Sequence, residues 1–149
     1  THLVITEWAK KCLAMETDYA IDDVKKLATT YSDDSNLAAS ISSGTYRTDG
    51  MIVIPCSMKT LSSIANGYDE TLVARSAGVT LKESRRETPL TAINLENMLK
   101  LARLGVVILP PVPGFYTKPK SIEQIVDHTV GKCLDQFNIE HNLYKRWGT

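Results

Sequence analysis

Met51-Ile52-Val53-Ile54-Pro55-Cys56-Ser57-Met58-Lys59-Thr60-Leu61 is the stretch that decides the fold. Four apolar residues run into a proline, a small polar pair follows, and a helix-forming segment begins. That order predicts a buried parallel strand over 51–54 that turns and feeds a helix N-terminus. In open α/β sheets ligands sit at such junctions, at the carboxyl ends of the strands. The first amides of the helix have no intrahelical partner and point at the crevice. Ser57 serves as N-cap and Lys59 adds a cation, so a phosphate-bearing ligand is the natural guest. On these residues alone, an ordinary buried strand followed by a Ser-capped helix is an equal reading.

The surrounding composition narrows the class. A chain of 149 residues is expected to form one domain, 1–149, with a sizeable core. Hydrophobic residues make up 43% and charged residues 23%, a globular balance. Lys+Arg and Asp+Glu both number 17, so no net basic field points to nucleic acid or a membrane surface. No apolar run approaches the roughly 20 residues of a spanning helix. Thr1-His2-Leu3-Val4-Ile5 has no basic n-region, so no signal peptide is expected. Cys12, Cys56 and Cys133 lack metal-type spacing and read as reduced thiols in a cytoplasmic setting. The three histidines form no ligand pattern, and no metal is expected.

Outward from the central stretch, residues 2–5 read as a strand already in progress. Thr6 caps a helix running to Glu16, and 18–30 read as a second helix. Residues 31–50 are rich in Ser, Asp, Thr and Gly and read as loop. A helix over 57–65 stops at Asn66-Gly67, a further helix spans 69–83, and another spans 91–103. Residues 106–109 read as a short strand, and 110–116, with three prolines, as a rigid loop. The clearest helix opens at Ser121-Ile122-Glu123-Gln124, with capping-box spacing. Ile122, Ile125, Val126, Thr129, Val130, Cys133, Leu134 and Phe137 then trace one apolar face. Residues 139–149 form a C-terminal arm that could pack on a neighbouring subunit.

Three strands against about six helices leave too little sheet to bury the helices. A doubly wound fold should carry another strand between residue 83 and Thr91, and the strand at residue 2 has no preceding unit. The expectation is therefore an α/β, three-layer Rossmann-like (flavodoxin-like) domain with a mostly parallel sheet, lacking its first strand and one central strand.

Several ordered motifs resemble the UbiX-type flavin prenyltransferase family, in the branch associated with hydroxyarylic acid decarboxylases. They are Ser42-Ser43-Gly44 with Thr48-Asp49-Gly50-Met51, then Pro55-Cys56-Ser57-Met58-Lys59-Thr60-Leu61. Arg86-Glu87-Thr88-Pro89-Leu90 with Asn97-Met98-Leu99 follows, then Pro110-Pro111-Val112-Pro113 with Phe115-Tyr116. Ser121-Ile122, Val126-Asp127-His128 and Val130-Gly131-Lys132 complete the set, and the tail Tyr144-Lys145-Arg146-Trp147-Gly148 resembles that branch most. Two departures stand out. The family's opening strand with a Gly-rich phosphate turn is absent from this sequence, and so is its apolar strand before Arg-Glu-Thr-Pro.

The resemblance implies transfer of dimethylallyl from dimethylallyl monophosphate to N5 and C6 of reduced FMN. The product would serve a UbiD-type decarboxylase. It implies a homo-oligomer, a trimer-based dodecamer, with active sites at subunit contacts. By family match, Thr6, Cys56, Ser57, Met58, Lys59 and Arg86 bind the flavin. Lys82, Arg86, Tyr116 and Lys132 hold the substrate phosphate, where fixed cations ease its departure. Glu16, Lys82 and Glu87 are the catalytic candidates, the two acids for proton handling, and Arg75 is supportive.

Plainer readings stand beside these roles. Without the resemblance, the solvated carboxylate near a helix end is the favoured reading of Glu16; Lys132 also reads as a snorkelling side chain and Tyr116 as a packing ring. Cys56 reads as a small buried residue rather than a nucleophile. Two other functions compete: a flavin-dependent cysteine decarboxylase relative, and a non-catalytic FMN-binding subunit of a hydroxyarylic acid decarboxylase complex.

Overall fold

A computed structural model describes residues 1–80, 83–84 and 90–146. Strand β1 (His2–Ile5) runs into helix α1 (Glu7–Glu16), which begins where Thr6 Oγ1 accepts from the Ala9 amide at 3.1 Å. Helix α1 ends at Thr17, whose hydroxyl donates to the Leu13 carbonyl at 2.8 Å. The short helix α2 (Ile21–Lys26) leads to β2 (Thr30–Asp33). β2 pairs parallel with β1, His2 opposite Thr30 and Ile5 opposite Asp33.

Helix α3 (Met58–Asn66) starts at Ser57, whose Oγ accepts from the Thr60 amide at 3.2 Å. It ends at Gly67, where φ of +70° suits a residue without Cβ. Helix α4 (Leu72–Thr80) is tied to the end of β2: the amides of Leu72 and Val73 donate to the carbonyl and carboxylate of Asp34 at 2.7 and 2.9 Å. Strand β3 (Glu83–Ser84) pairs parallel with β4 (Ile108–Leu109), and α5 (Ala92–Arg103) lies between them in sequence. Helix α6 (Ile122–Asp135) follows a single 3-10 turn at Phe115–Thr117.

Both ladders are parallel and the connections between paired strands are helical, which is the α/β arrangement expected. The core joins Leu61, Ile64 and Ala65 of α3 to Val73, Ala74 and Ala77 of α4 and Leu101 of α5. Val53, Cys56 and Val106 complete it, and Val4 of β1 and Ile108 of β4 pack against it. Both parallel pairs therefore converge on one hydrophobic cluster, with the start of α3 inside it.

Four expectations need correction. Residues 51–54 form no strand: no ladder partner lies beside them among the described residues, and only Val53 is buried, with Ile54 58% exposed. Residues 30–33, read as helix end and loop, form β2. Their polar composition is overridden by pairing with β1, and Lys10 reaches from α1 to Asp33 at 3.2 Å. The Ser35 hydroxyl and amide, then Lys10, hold the Asp33 carboxyl well below the usual range. The helix read over 69–83 stops at Thr80, and Glu83–Ser84 form a strand where none was expected. In α6 the apolar face splits: Cys133 is buried, whereas Ile122, Val126 and Val130 are exposed, and His128 and Gly131 are buried instead. The cap is as expected in kind, with Ser121 accepting from the Gln124 amide at 3.3 Å. Gln124 reaches back one residue further than a capping box requires, to the Lys120 amide at 2.8 Å.

Candidate functional site

Two helix N-termini define the first half of the site. Thr6 follows the last residue of β1, and Ser57 follows the core residue Cys56; each side chain caps the helix it opens. Because Val4 and Cys56 belong to one core cluster, the two caps are held on the same body. Cys56 is 1% exposed, its thiol directed to the Ser57 carbonyl at 3.6 Å, so it packs as a small apolar residue. Ser57 and Thr60 hydroxyls also meet at 3.1 Å, which fixes the first turn. Met58 is half-buried and Lys59 exposed, so this turn presents backbone, one thioether and one cation. The positive end of the α3 dipole suits an anion there. Ser57→Ala should cost roughly 0.5–2 kcal/mol of stability, the usual loss of an N-cap, measured by denaturant unfolding.

The second half gathers at α6. The buried ring of His128 meets the Tyr116 ring edge-on, centroids 6.1 Å apart. Lys132 lies one turn beyond His128 on the same helix face. Burial and then the nearby Lys132 charge push the His128 pKa down, which keeps the imidazole neutral. Tyr116 is 64% exposed in the 3-10 turn. Tyr116 and Lys132, expected together on a phosphate, are thus gathered around one imidazole.

Glu16 lies at the opposite end of α1 from Thr6. It is exposed, the last residue of α1, ten residues beyond Thr6; at 1.5 Å per residue the helix separates them by about 15 Å. Arg75 is an ion-pairing residue, bonded to Asp69 at 3.0 Å and to the Ser42 carbonyl at 3.2 Å. Lys82, Arg86 and Glu87 lie outside the described residues.

Residues beyond the expected set also converge here. Asp135 accepts from the Tyr144 hydroxyl and the Arg146 guanidinium, each at 2.5 Å, and meets His141 Nε2 at 3.1 Å. The arm up to Arg146 therefore binds the helix of its own chain. His128, Gly131, Lys132 and Asp135 follow i, i+3, i+4, i+7 spacing, a signal present in the sequence beside the stronger apolar one.

The sequence profile described as Flavoprotein matches residues 1–134. A probable UbiX-like flavin prenyltransferase of Escherichia coli O157:H7 is 52% identical, over 99% of this chain and 78% of that protein. The alignment runs over 153 positions, so the matched span is longer than this chain of 149 residues. The crystal structure of AnUbiX (PadA1) in complex with FMN and dimethylallyl pyrophosphate superposes with a TM-score of 0.95 at 45% identity, covering 100% of this chain and 82% of that one. A dodecameric FMN-dependent UbiX-like decarboxylase from Escherichia coli O157:H7 gives 0.96 at 49% identity, covering 100% and 84%. With the profile over most of its length and such relatives across nearly all of it, the chain belongs to the Flavoprotein family, among the UbiX-like flavin prenyltransferases.

Proposed function

We propose that this chain transfers a dimethylallyl group from dimethylallyl monophosphate to reduced FMN, bonding N5 and C6, and that the product serves a UbiD-type decarboxylase. The observation that carries the reading is the pair of capped helix starts at Thr6 and Ser57 on one core, in a chain half-identical to flavin prenyltransferases. The residues present fit an isoalloxazine and its phosphate: Cys56 is small and inward, so the chain can approach a flat ring closely, and Lys59 and the α3 amides suit the anion. When bound, reduced FMN supplies the nucleophilic nitrogen and carbon.

In this reading Thr6, Cys56, Ser57, Met58 and Lys59 hold the flavin, and Arg86 joins them. Tyr116, Lys132, Lys82 and Arg86 grip the allyl phosphate. A neutral His128 supports that grip: it adds no competing charge while the Lys132 ammonium and Tyr116 hydroxyl face the leaving oxygens. Fixed donors placed where negative charge develops lower the barrier to C–O cleavage. Lys132 is a point charge rather than a bidentate fork, so Tyr116 carries more of the orientation.

Glu16 and Glu87 handle the proton lost from the flavin ring and the proton gained by phosphate. Because α1 holds Glu16 about 15 Å from Thr6, Glu16 acts on a flavin seated at another copy of the chain. The exposed Trp8, Met15 and Tyr19 on and after α1 supply apolar surface for such a contact, in keeping with a trimer-based dodecamer. Among the described residues no disulfide joins Cys12, Cys56 and Cys133, which suits a reducing, cytoplasmic setting. Among the described residues no helix is long and apolar enough to cross a membrane.

Added to an apo UbiD-type decarboxylase, the filtered product of a reaction with reduced FMN and dimethylallyl monophosphate should switch on decarboxylation. Product made without the allyl phosphate should leave it inactive. Equal activation by both preparations contradicts the reading.

A further inference from the structure

We propose that Asp135 and Tyr144 are positioning residues for the phosphate end of the site, acting through His128 on Tyr116. The inference deepens the function proposed above and rests on it for the identity of the ligand.

One carboxylate near the end of α6 collects three groups of the C-terminal arm: the Tyr144 hydroxyl, the Arg146 guanidinium and the His141 ring. Arg146 first, then Tyr144, hold the Asp135 carboxyl down to about 2, so it is ionised at neutral pH and its bonds are charge-assisted. The Tyr144 hydroxyl is correspondingly held in its protonated, donating form, its pKa raised by Asp135 and by burial.

Gly131 shows how closely the arm is seated. A Cβ there would stand 2.6 Å from His141 Cε1 and 2.6 Å from two Tyr144 ring carbons, closer than real contacts allow. A glycine on this helix face is what lets both rings lie against the backbone.

The contact then continues toward the ligand. The Tyr144 ring meets His128 edge-on with centroids 4.8 Å apart, and His128 meets Tyr116 in the same geometry at 6.1 Å. Gly114, which opens the 3-10 turn carrying Tyr116, presses on the same imidazole: a Cβ there would lie 2.8 Å from His128 Cε1. Both the Tyr116 ring and the start of its turn therefore lean on His128, and His128 leans on Tyr144. The clasp at Asp135 fixes the far end of that stack. A loose clasp frees the ring that His128 rests on, and the phosphate-facing hydroxyl of Tyr116 loses its register.

The test uses the full chain with Asp135→Asn and, separately, Tyr144→Phe, which keeps the ring and removes only its hydroxyl. For Asp135→Asn the KM for dimethylallyl monophosphate should rise about tenfold, the scale of a lost hydrogen bond to a charged group. The kcat and the affinity for FMN should stay near wild type. Hydrogen exchange should show lost protection at 114–117 as well as 141–146. Tyr144→Phe should move the same quantities in the same direction by less, and it keeps the test open if Asp135→Asn does not fold. Unchanged KM with unchanged protection at 114–117 overturns the proposal, as does an equal loss of FMN affinity, which marks a merely structural role. Should the wild-type chain fail to transfer any prenyl group, the proposed function falls on its own, and exchange at 114–117 alone decides the positioning role.

Discussion

Glu16→Gln should lower prenyl transfer by roughly 10²–10⁴-fold, the range of a lost general acid or base, while reduced FMN remains bound. The variant keeps the shape of the side chain and removes its ability to take a proton. Glu16 is exposed at the end of α1, so the substitution should leave stability almost unchanged. Single-turnover assays by liquid chromatography give the rate, and flavin fluorescence titration gives the binding. The location of Glu16 sharpens the expectation. Since α1 carries it about 15 Å from Thr6, the proposed function seats Glu16 at a site on another copy. Mixed oligomers of Glu16→Gln and Lys132→Ala chains should regain activity that neither variant has alone. Normal turnover by Glu16→Gln removes the proton-handling role, and mixed oligomers that stay inactive place Glu16 and Lys132 in one chain's site.

Leu101→Ala should give a large loss of stability, about 2–5 kcal/mol, from the lost transfer energy of the side chain and the cavity it leaves. Leu101 is 0% exposed on α5, in the cluster that also holds Leu61 and Ile64 of α3. Helix α5 has little buried apolar surface of its own to close a gap: it buries Leu101 alone among its residues, with Ile93, Leu95 and Leu99 exposed. A drop in Tm of about 2–4 °C per kcal/mol is the scale for a chain of this size, so thermal unfolding should show a shift near 10 °C. Cys56 and Ser57 sit in or beside the same cluster, so FMN affinity should fall with stability. A shift under 2 °C contradicts the description of this core.

Much of the fold was legible because capping and glycine signals are local. Thr6, Ser57, Thr91 and Ser121 each mark a helix start in the sequence, and each accepts from the amide three residues on. The strands were harder, because a strand needs a partner the local sequence does not contain. Thr30-Tyr31-Ser32-Asp33 has no apolar alternation and becomes β2 only because β1 lies beside it. Met51-Ile52-Val53-Ile54 has ideal composition and no ladder among the described residues.

The site divides the same way. The Ser57 cap is legible in the order of apolar run, proline and helix-forming segment, whereas the site role of Cys56 comes from the family resemblance. Tyr116 and Lys132 came only from family resemblance, since no periodicity links a proline-rich loop to a helix beyond it. The Asp135 clasp escaped because α6 carries two overlapping patterns. The apolar pattern is the stronger in sequence, while His128, Gly131 and Asp135 form the face that receives the arm.

The most direct measurement of the central claim is the mass of the flavin after the intact chain is incubated anaerobically with reduced FMN and dimethylallyl monophosphate. The expected product is FMN carrying one added prenyl unit, with inorganic phosphate released in equal amount. Recovery of unmodified FMN alone, from a chain shown to bind both ligands, would contradict it.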